Sequence, residues 1–266
     1  MKGVNRLVTN EGARVLVTGG TRGIGFAVAH QIVRQGGRVM LVGTDAERAQ
    51  EAAASLAAPG RVFSMGCRIE GNERQSRRLV EAAVESLGEL TGVVNAAGGA
   101  TVGHALDLSW SRWKEDVDTK LWGYFALMRA AVPHLASPGG VIVNILGVAG
   151  KDPNPRLAPG TVINGALRGL TKILADDLAP RGIRVLAVNP GATETDLLRE
   201  MAQGYARLNG VSTDEALAAM RSSGPLGRLP TASDIAAAVV FLMSEEAALI
   251  TGTSLDIDGG VHRGPA

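Results

Sequence analysis

The chain has 266 residues, a formal net charge of +1 and an aromatic content of only 3%. Lysine and arginine are spread along the sequence, so the composition gives no sign of a nucleic-acid-binding surface and favours a protein that acts on a small molecule. No stretch approaches the roughly 18 apolar residues of a membrane span, and the N-terminus lacks the apolar run of a signal peptide. We therefore expect a cytoplasmic protein with neither a nucleic-acid nor a membrane partner, and one domain over residues 1–266.

Seven short runs rich in β-branched residues alternate with segments of helical period. They lie at about 14–18, 38–42, 61–65, 92–95, 141–146, 183–188 and 253–257. Each run is almost wholly apolar, as expected for strands that helices cover on both faces of a sheet. The alternation is typical of repeated βαβ units. It predicts the α/β fold class, with a single Rossmann-like, doubly wound domain built on a seven-stranded parallel sheet.

Two later segments differ in their patterning. A helix is predicted from near Pro159 to just before Gly182, with leucines at 167, 170, 174 and 178 on one face. The stretch 191–230 has scattered Leu, Met and Tyr and no clear period. We expect it to be irregular and to form a lid over the substrate.

The first predicted strand runs directly into a glycine-rich turn, Thr18-Gly19-Gly20-Thr21-Arg22-Gly23-Ile24-Gly25. Glycines such as Gly23 and Gly25 let the backbone turn tightly and approach a pyrophosphate at the start of the next helix. Two further motifs follow later strands, namely Asn95-Ala96-Ala97-Gly98 and Asn189-Pro190-Gly191-Ala192-Thr193-Glu194-Thr195. Three motifs in register with the strands predict a dinucleotide site.

With these motifs, and with Leu255-Asp256-Ile257-Asp258-Gly259-Gly260 near its end, the sequence resembles the short-chain dehydrogenase/reductase family over nearly its whole length. The resemblance implies an oxidoreductase with a small-molecule substrate, assembled as a homo-oligomer, either a tetramer or a dimer. It also implies a set of cofactor-lining residues: Gly19, Thr21, Arg22, Ile24, Asn95, Gly98, Pro190, Gly191, Thr193 and Thr195.

The end of the second strand indicates which nicotinamide cofactor is preferred. Relatives that prefer NAD carry an acidic residue there, whereas this chain has Gly43-Thr44. No carboxylate would repel a 2′-phosphate, Arg22 can pair with that phosphate, and Thr44 can donate a hydroxyl. We therefore expect NADP, with NAD less favoured. Arg68 stands where the family commonly has an aspartate for the adenine amine; it either contacts the cofactor or points into water.

The catalytic end departs from the family, whose members use a Ser, a Tyr, a Lys and an Asn to protonate a carbonyl oxygen. Aligning on the motifs puts Gly147, Gly160 and Asn164 at the Ser, Tyr and Lys positions and Lys120 at the Asn position. The Lys and Asn types are thus exchanged between two positions that relatives link through water. Such an exchange keeps one positive charge and one amide near the nicotinamide ribose. The alternative is independent drift in a site that has lost its activity.

Losing the proton donor makes ordinary ketone reduction unfavourable, because a missing general acid typically costs about 10²–10⁴-fold in rate. Hydride addition to an activated C=C bond is less demanding, since the charge spreads into an enolate, and some enoyl reductases of this family also lack the Tyr. Lys120, Asn164 and either the Thr161 hydroxyl or free backbone N–H groups at the helix start are the candidate catalytic groups. The four dispersed histidines give no metal-ligand spacing, so no metal is expected.

Three functions remain open at this point. The first is an atypical NADP-dependent oxidoreductase acting on a conjugated or enoyl-like substrate. The second is a non-catalytic protein that senses NADP(H) or partners another enzyme, which the loss of the usual catalytic set would explain. The third is non-redox chemistry on the same scaffold, such as isomerisation, dehydration or cyclisation.

Overall fold

The computed structural model describes residues 12–137, 139–222 and 224–263. These residues form one parallel sheet of seven strands in the order β3-β2-β1-β4-β5-β6-β7. The strands are β1 (Arg14–Thr18), β2 (Arg38–Gly43), β3 (Val62–Gly66), β4 (Gly92–Asn95), β5 (Val141–Ile145), β6 (Arg184–Pro190) and β7 (Ser254–Ile257). The predicted fold class is confirmed, and the strand bounds differ from the predicted ones by at most two residues.

The helices of the described residues cover both faces of this sheet. They are α1 (Gly23–Arg34), α2 (Ala46–Ser55), α3 (Glu73–Leu87), α4 (Trp110–Asp116), α5 (Gly123–Ala131), α6 (Ala158–Leu178), α7 (Asp196–Asn209), α8 (Thr213–Arg221) and α9 (Ala232–Met243). One core cluster joins the sheet to α3, α5 and α6, and a second joins it to α1, α2 and α9. None of the helices in the described ranges is long and apolar enough to cross a membrane.

Strand order reverses direction at β1, since β2 and β4 lie on opposite sides of it. In doubly wound sheets this switch point leaves a crevice at the carboxyl ends of the strands, because the connections on the two sides lead away in opposite directions. All three motifs found in the sequence follow strands β1, β4 and β6. The topology therefore brings them to one edge of the sheet.

The expectation of an irregular stretch over 191–230 was wrong, because the segment contains α7 and α8. Leu198, Ala202 and Ala206 on α7 pack with Leu217 on α8 in a small cluster separate from the two main cores. Ser212 and Glu215 form a reciprocal capping box that starts α8. Short helices with a narrow apolar face give a weak periodic signal, so the sequence pattern did not show them. The role of the segment as a lid stays a prediction.

Candidate cofactor and active site

A cavity of about 500 Å³ opens at the carboxyl ends of the central strands. It is lined by residues from all three motifs and from the end of β2. Among the predicted cofactor residues, its lining contains Gly19, Thr21, Arg22, Gly23, Ile24, Gly25, Thr44, Gly98, Pro190, Gly191, Thr193 and Thr195. Asn95 is fully buried beneath the cavity instead, where its Nδ2 donates to Asn144 Oδ1 at 2.9 Å. The structure therefore brings these predicted residues together around one cavity, with Asn95 buried beside it.

The glycine-rich turn leaves the start of α1 open to an anion. Arg22 is the N-cap residue of α1, its side chain makes no capping hydrogen bond, and the first turn carries no acidic residue. The first N–H groups of a helix have no intrahelical acceptor, and the helix dipole favours negative charge there. The residues present thus fit the pyrophosphate of a dinucleotide at the position that the sequence predicted.

The end of β2 has no room for a side chain at position 43. A Cβ atom added to Gly43 would overlap Cγ2 of Thr21 in the glycine-rich turn. A second cavity of about 730 Å³ lies beside this point, lined by Thr21, Arg22, Thr44 and Arg48 among others. The acidic residue that marks NAD-preferring relatives is absent from the sequence, and any side chain at position 43 would require Thr21 to move.

Arg68 and Cys67 follow β3, and both line the first cavity, at the carboxyl ends of the strands. The Arg68 guanidinium forms ion pairs with Glu70 at 3.0 Å and Glu115 at 2.8 Å. Burial, and then the charge of Glu70, raise the pKa of the Cys67 thiol. A raised pKa disfavours the reactive thiolate, so Cys67 acts as a partly buried apolar contact.

Lys120 lies in a π-helical turn, Val117–Trp122, between α4 and α5. Its Nζ donates a hydrogen bond to the carbonyl oxygen of Leu146 at 2.9 Å, and it lines the cavity beside Gly98. Enclosure of the ammonium by protein lowers the pKa of Lys120 to about 8, and the Asp116 carboxylate offsets part of this effect. π-Helical turns are often found at functional sites, where they re-aim a side chain.

Asn164 is the residue that the sequence analysis paired with Lys120, and its amide side chain is buried. It lies on α6, lines the same cavity, and its Oδ1 has no hydrogen-bond partner within the described residues. A Cβ atom on Gly147 would lie 2.9 Å from Asn164 Nδ2, whereas a Cβ on Gly160 would meet nothing within 4 Å. The four positions that the sequence motifs singled out, 120, 147, 160 and 164, therefore line one cavity. Two of them, 147 and 160, present only backbone.

Thr161 is placed differently from what the sequence led us to expect. Its hydroxyl donates to the carbonyl oxygen of Asn154 and accepts from the Asn154 N–H, both at 3.3 Å. Thr161 does not belong to the residues that line the cavity, whereas Gly160 does. The Thr161 N–H bonds to the carbonyl oxygen of Leu157, whereas the N–H groups of Ala158 and Gly160 have no acceptor among the described residues, and of these two Gly160 lines the cavity.

Sequence reasoning missed two residues of the site, Asp116 and Tyr124. Both line the cavity, and each lies four residues from Lys120, a spacing that places side chains on one helical face. Tyr124 is buried and donates to the carbonyl oxygens of Ala97 at 2.8 Å and Ile145 at 3.3 Å. Burial raises the pKa of its phenol, so Tyr124 holds the ends of two strands together as a neutral donor.

The fold and the cavity together define a Rossmann-type α/β protein whose cavity fits a dinucleotide. Residues 19–262 match a family model described as Enoyl-(Acyl carrier protein) reductase. The 2-(S)-hydroxypropyl-CoM dehydrogenase 3 of Xanthobacter autotrophicus is 34% identical over 248 residues, which cover 93% of this chain and 95% of that protein. The chain therefore belongs to the short-chain dehydrogenase/reductase family, and it is an oxidoreductase of that type.

Two solved structures share the fold over almost the whole chain. A short chain dehydrogenase from Burkholderia cenocepacia in complex with NADP is 32% identical, with a TM-score of 0.83, covering 94% of this chain and 98% of that one. A 3-ketoacyl-(acyl-carrier-protein) reductase from Brucella melitensis complexed with NADH is 30% identical, with a TM-score of 0.82 and the same two coverages. Structures of this type therefore hold either nicotinamide cofactor.

Proposed function

We propose that the protein is an atypical NADP-dependent oxidoreductase that transfers hydride to an activated, conjugated or enoyl-like double bond rather than to an ordinary ketone. The observation that carries this proposal is the catalytic end of the cavity. There Lys120 and Asn164 replace the usual set, and Gly147 and Gly160 offer no hydroxyl. The family model is described as an enoyl-(acyl carrier protein) reductase, whereas the relatives are dehydrogenases and 3-ketoacyl reductases, so the proposed reaction class rests on the catalytic end of the cavity.

The preference for NADP is supported by the end of β2. Position 43 holds glycine and no carboxylate, a side chain there would overlap Thr21, and Arg22, Arg48 and Thr44 line the neighbouring cavity. A guanidinium pairs strongly with phosphate, and a hydroxyl adds a donor. Relatives bind NADP or NADH and so indicate no preference. The proposal that this chain prefers NADP therefore rests on these residues. When bound, the reduced cofactor supplies the hydride.

The residues of the chain then have distinct tasks. The Lys120 ammonium, held by the Leu146 carbonyl, lowers the energy of an oxyanion that develops nearby. The unpartnered Asn164 Oδ1 accepts a hydrogen bond from a hydroxyl of the bound ligands. The Gly160 N–H at the start of α6 is a further donor for the oxyanion. These groups suit an enolate, whose charge is delocalised, better than an alkoxide that needs a full proton at once.

The experiment that tests the proposal has two stages. Titration with NADPH and NADH, followed by nicotinamide fluorescence, measures whether the cofactor binds and which form is preferred. Oxidation of NADPH is then followed with an α,β-unsaturated thioester and with a β-keto thioester of equal chain length. We expect turnover of the unsaturated thioester alone. Turnover of the keto thioester at an equal or higher rate would contradict the proposed reaction class.

A non-catalytic NADP(H)-binding protein is the second candidate, favoured by glycine at both positions where relatives carry the hydroxyl groups. It predicts NADPH binding with no turnover of either thioester. Product formation without any cofactor would instead indicate isomerase, dehydratase or cyclase chemistry on the same scaffold.

We also propose a homo-oligomer. The proposal rests on the family resemblance. Light scattering during size-exclusion chromatography measures the assembly.

A further inference from the structure

The second cavity, beside Gly43, contains an ion pair that the cofactor proposal does not explain. Arg22 Nη1 lies 2.9 Å from Oε1 of Glu200, a residue in the second turn of α7. Both side chains are more than half exposed, at 59% and 52%, and both line this cavity together with Thr44. Glu200 thus holds the guanidinium that the proposed function assigns to the 2′-phosphate.

We propose that Glu200 is a specificity-determining residue that competes with the 2′-phosphate of NADP(H) for Arg22 and so weakens the preference for NADP over NAD. This inference rests on the proposed function, since it concerns the same dinucleotide site. A phosphate that pairs with Arg22 must either displace the Glu200 carboxylate or lie within a few ångströms of it. Like charges at that separation repel one another.

The charges around the cavity strengthen this argument. Three carboxylates line it, those of Asp45, Glu51 and Glu200, against the two guanidinium groups of Arg22 and Arg48. Asp45 is engaged as the cap of α2, where its Oδ1 accepts from the Arg48 N–H at 3.0 Å. Glu51 makes no ion pair with Arg22. Among these three carboxylates, that of Glu200 forms the ion pair with Arg22, the residue proposed to bind the 2′-phosphate.

The competition affects only one of the two cofactors. NADH has a 2′-hydroxyl in place of the phosphate, so it brings no charge toward Arg22 and leaves the ion pair intact. Removing the Glu200 charge should therefore raise affinity for NADPH and leave affinity for NADH unchanged. Since Glu51 lines the same cavity and forms no ion pair with Arg22, Glu51→Gln removes an equal charge from the wall of that cavity and is the matched control.

The test is fluorescence titration of the full-length protein with NADPH and with NADH, for the parent, E200Q, E51Q, R22A and the R22A/E200Q double variant. We expect E200Q to lower the Kd for NADPH about two- to fivefold, the range of an exposed ion pair, and to leave the Kd for NADH unchanged. E51Q should change the NADPH Kd less. In the R22A background, E200Q should have a smaller effect, because the guanidinium for which the two anions compete is gone and only the direct repulsion between Glu200 and the phosphate remains.

Each outcome decides the matter. Three results would disprove the competition although the dinucleotide site stands. They are an unchanged ratio of the two Kd values in E200Q, an effect of E51Q on the NADPH Kd equal to that of E200Q, and an effect of E200Q that is as large without Arg22 as with it. If the parent protein binds neither cofactor, the proposed function itself fails and this inference fails with it. Retained NADH binding in each variant shows that the fold and the rest of the site are intact.

Discussion

Lys120 is the residue on which the proposed chemistry most directly depends, and its charge is sensitive to pH. Its pKa is lowered to about 8 by enclosure, so the ammonium predominates below about pH 8 and is lost as the pH rises through that value. We expect the turnover rate at saturating NADPH to fall above pH 8. K120A should lose about 10²-fold or more in rate at pH 7.

The control for this prediction is K120R, because arginine stays charged throughout the accessible range. K120R should retain part of the activity, and its rate should not fall between pH 7 and pH 9.5. If K120R shows the same decline as the parent, another group is responsible for the pH dependence, and the role of Lys120 is contradicted.

Gly43 is a second residue at which a single substitution should change both stability and cofactor binding. Because a Cβ there would overlap the Thr21 methyl group, Gly43→Ala should destabilise the turn by about 1–3 kcal/mol and weaken NADPH binding. Thr21→Ser removes that methyl group. The G43A/T21S double variant should therefore recover most of the lost stability in urea unfolding. Failure to recover would show that position 43 is constrained by its backbone and not by Thr21.

At the scale of elements, the pair α7 and α8 is attached to the rest of the molecule less firmly than the sheet helices are. Its apolar residues form their own small cluster, and α8 depends on the capping box of Ser212 and Glu215. Ser212→Ala should cost about 1 kcal/mol. Amide hydrogen exchange should become faster in α8 and remain unchanged in the strands. A uniform increase across the sheet would contradict this separation.

At the scale of the whole molecule, the cofactor site joins parts of the chain that are distant in sequence. The cavity at the carboxyl ends of the strands is lined from Gly19 to Met201, so a ligand that fills it links the two halves of the sheet. At NADPH concentrations about 100-fold above its Kd, binding should stabilise the fold by about 2.7 kcal/mol. For a chain of this size the Tm should rise by roughly 5–10 °C. An unchanged Tm in differential scanning fluorimetry would contradict the proposed site.

Most of the fold followed from patterns of neighbouring residues. Apolar runs separated by helical segments gave all seven strands within two residues, because a sheet buried on both faces needs nearly continuous apolar strands. The motifs placed the cofactor site at the strand ends for the same local reason, since a glycine-rich turn between a strand and a helix has few other uses. The helices α7 and α8 escaped detection because short amphipathic segments carry a weak period.

The sequence by itself determined the sheet, the family and the edge of the sheet at which the three motifs meet, because these depend on local periodicity and on motifs of consecutive residues. Tertiary structure decided how the site residues act. The Thr161 hydroxyl is turned to Asn154, and Arg22 is paired with a carboxylate 178 residues away. The lowered pKa of Lys120 and the unpartnered Asn164 oxygen likewise arise from enclosure by separate elements. Burial, charge pairing and steric overlap are properties of contacts between distant residues, and these exist only once the chain has folded.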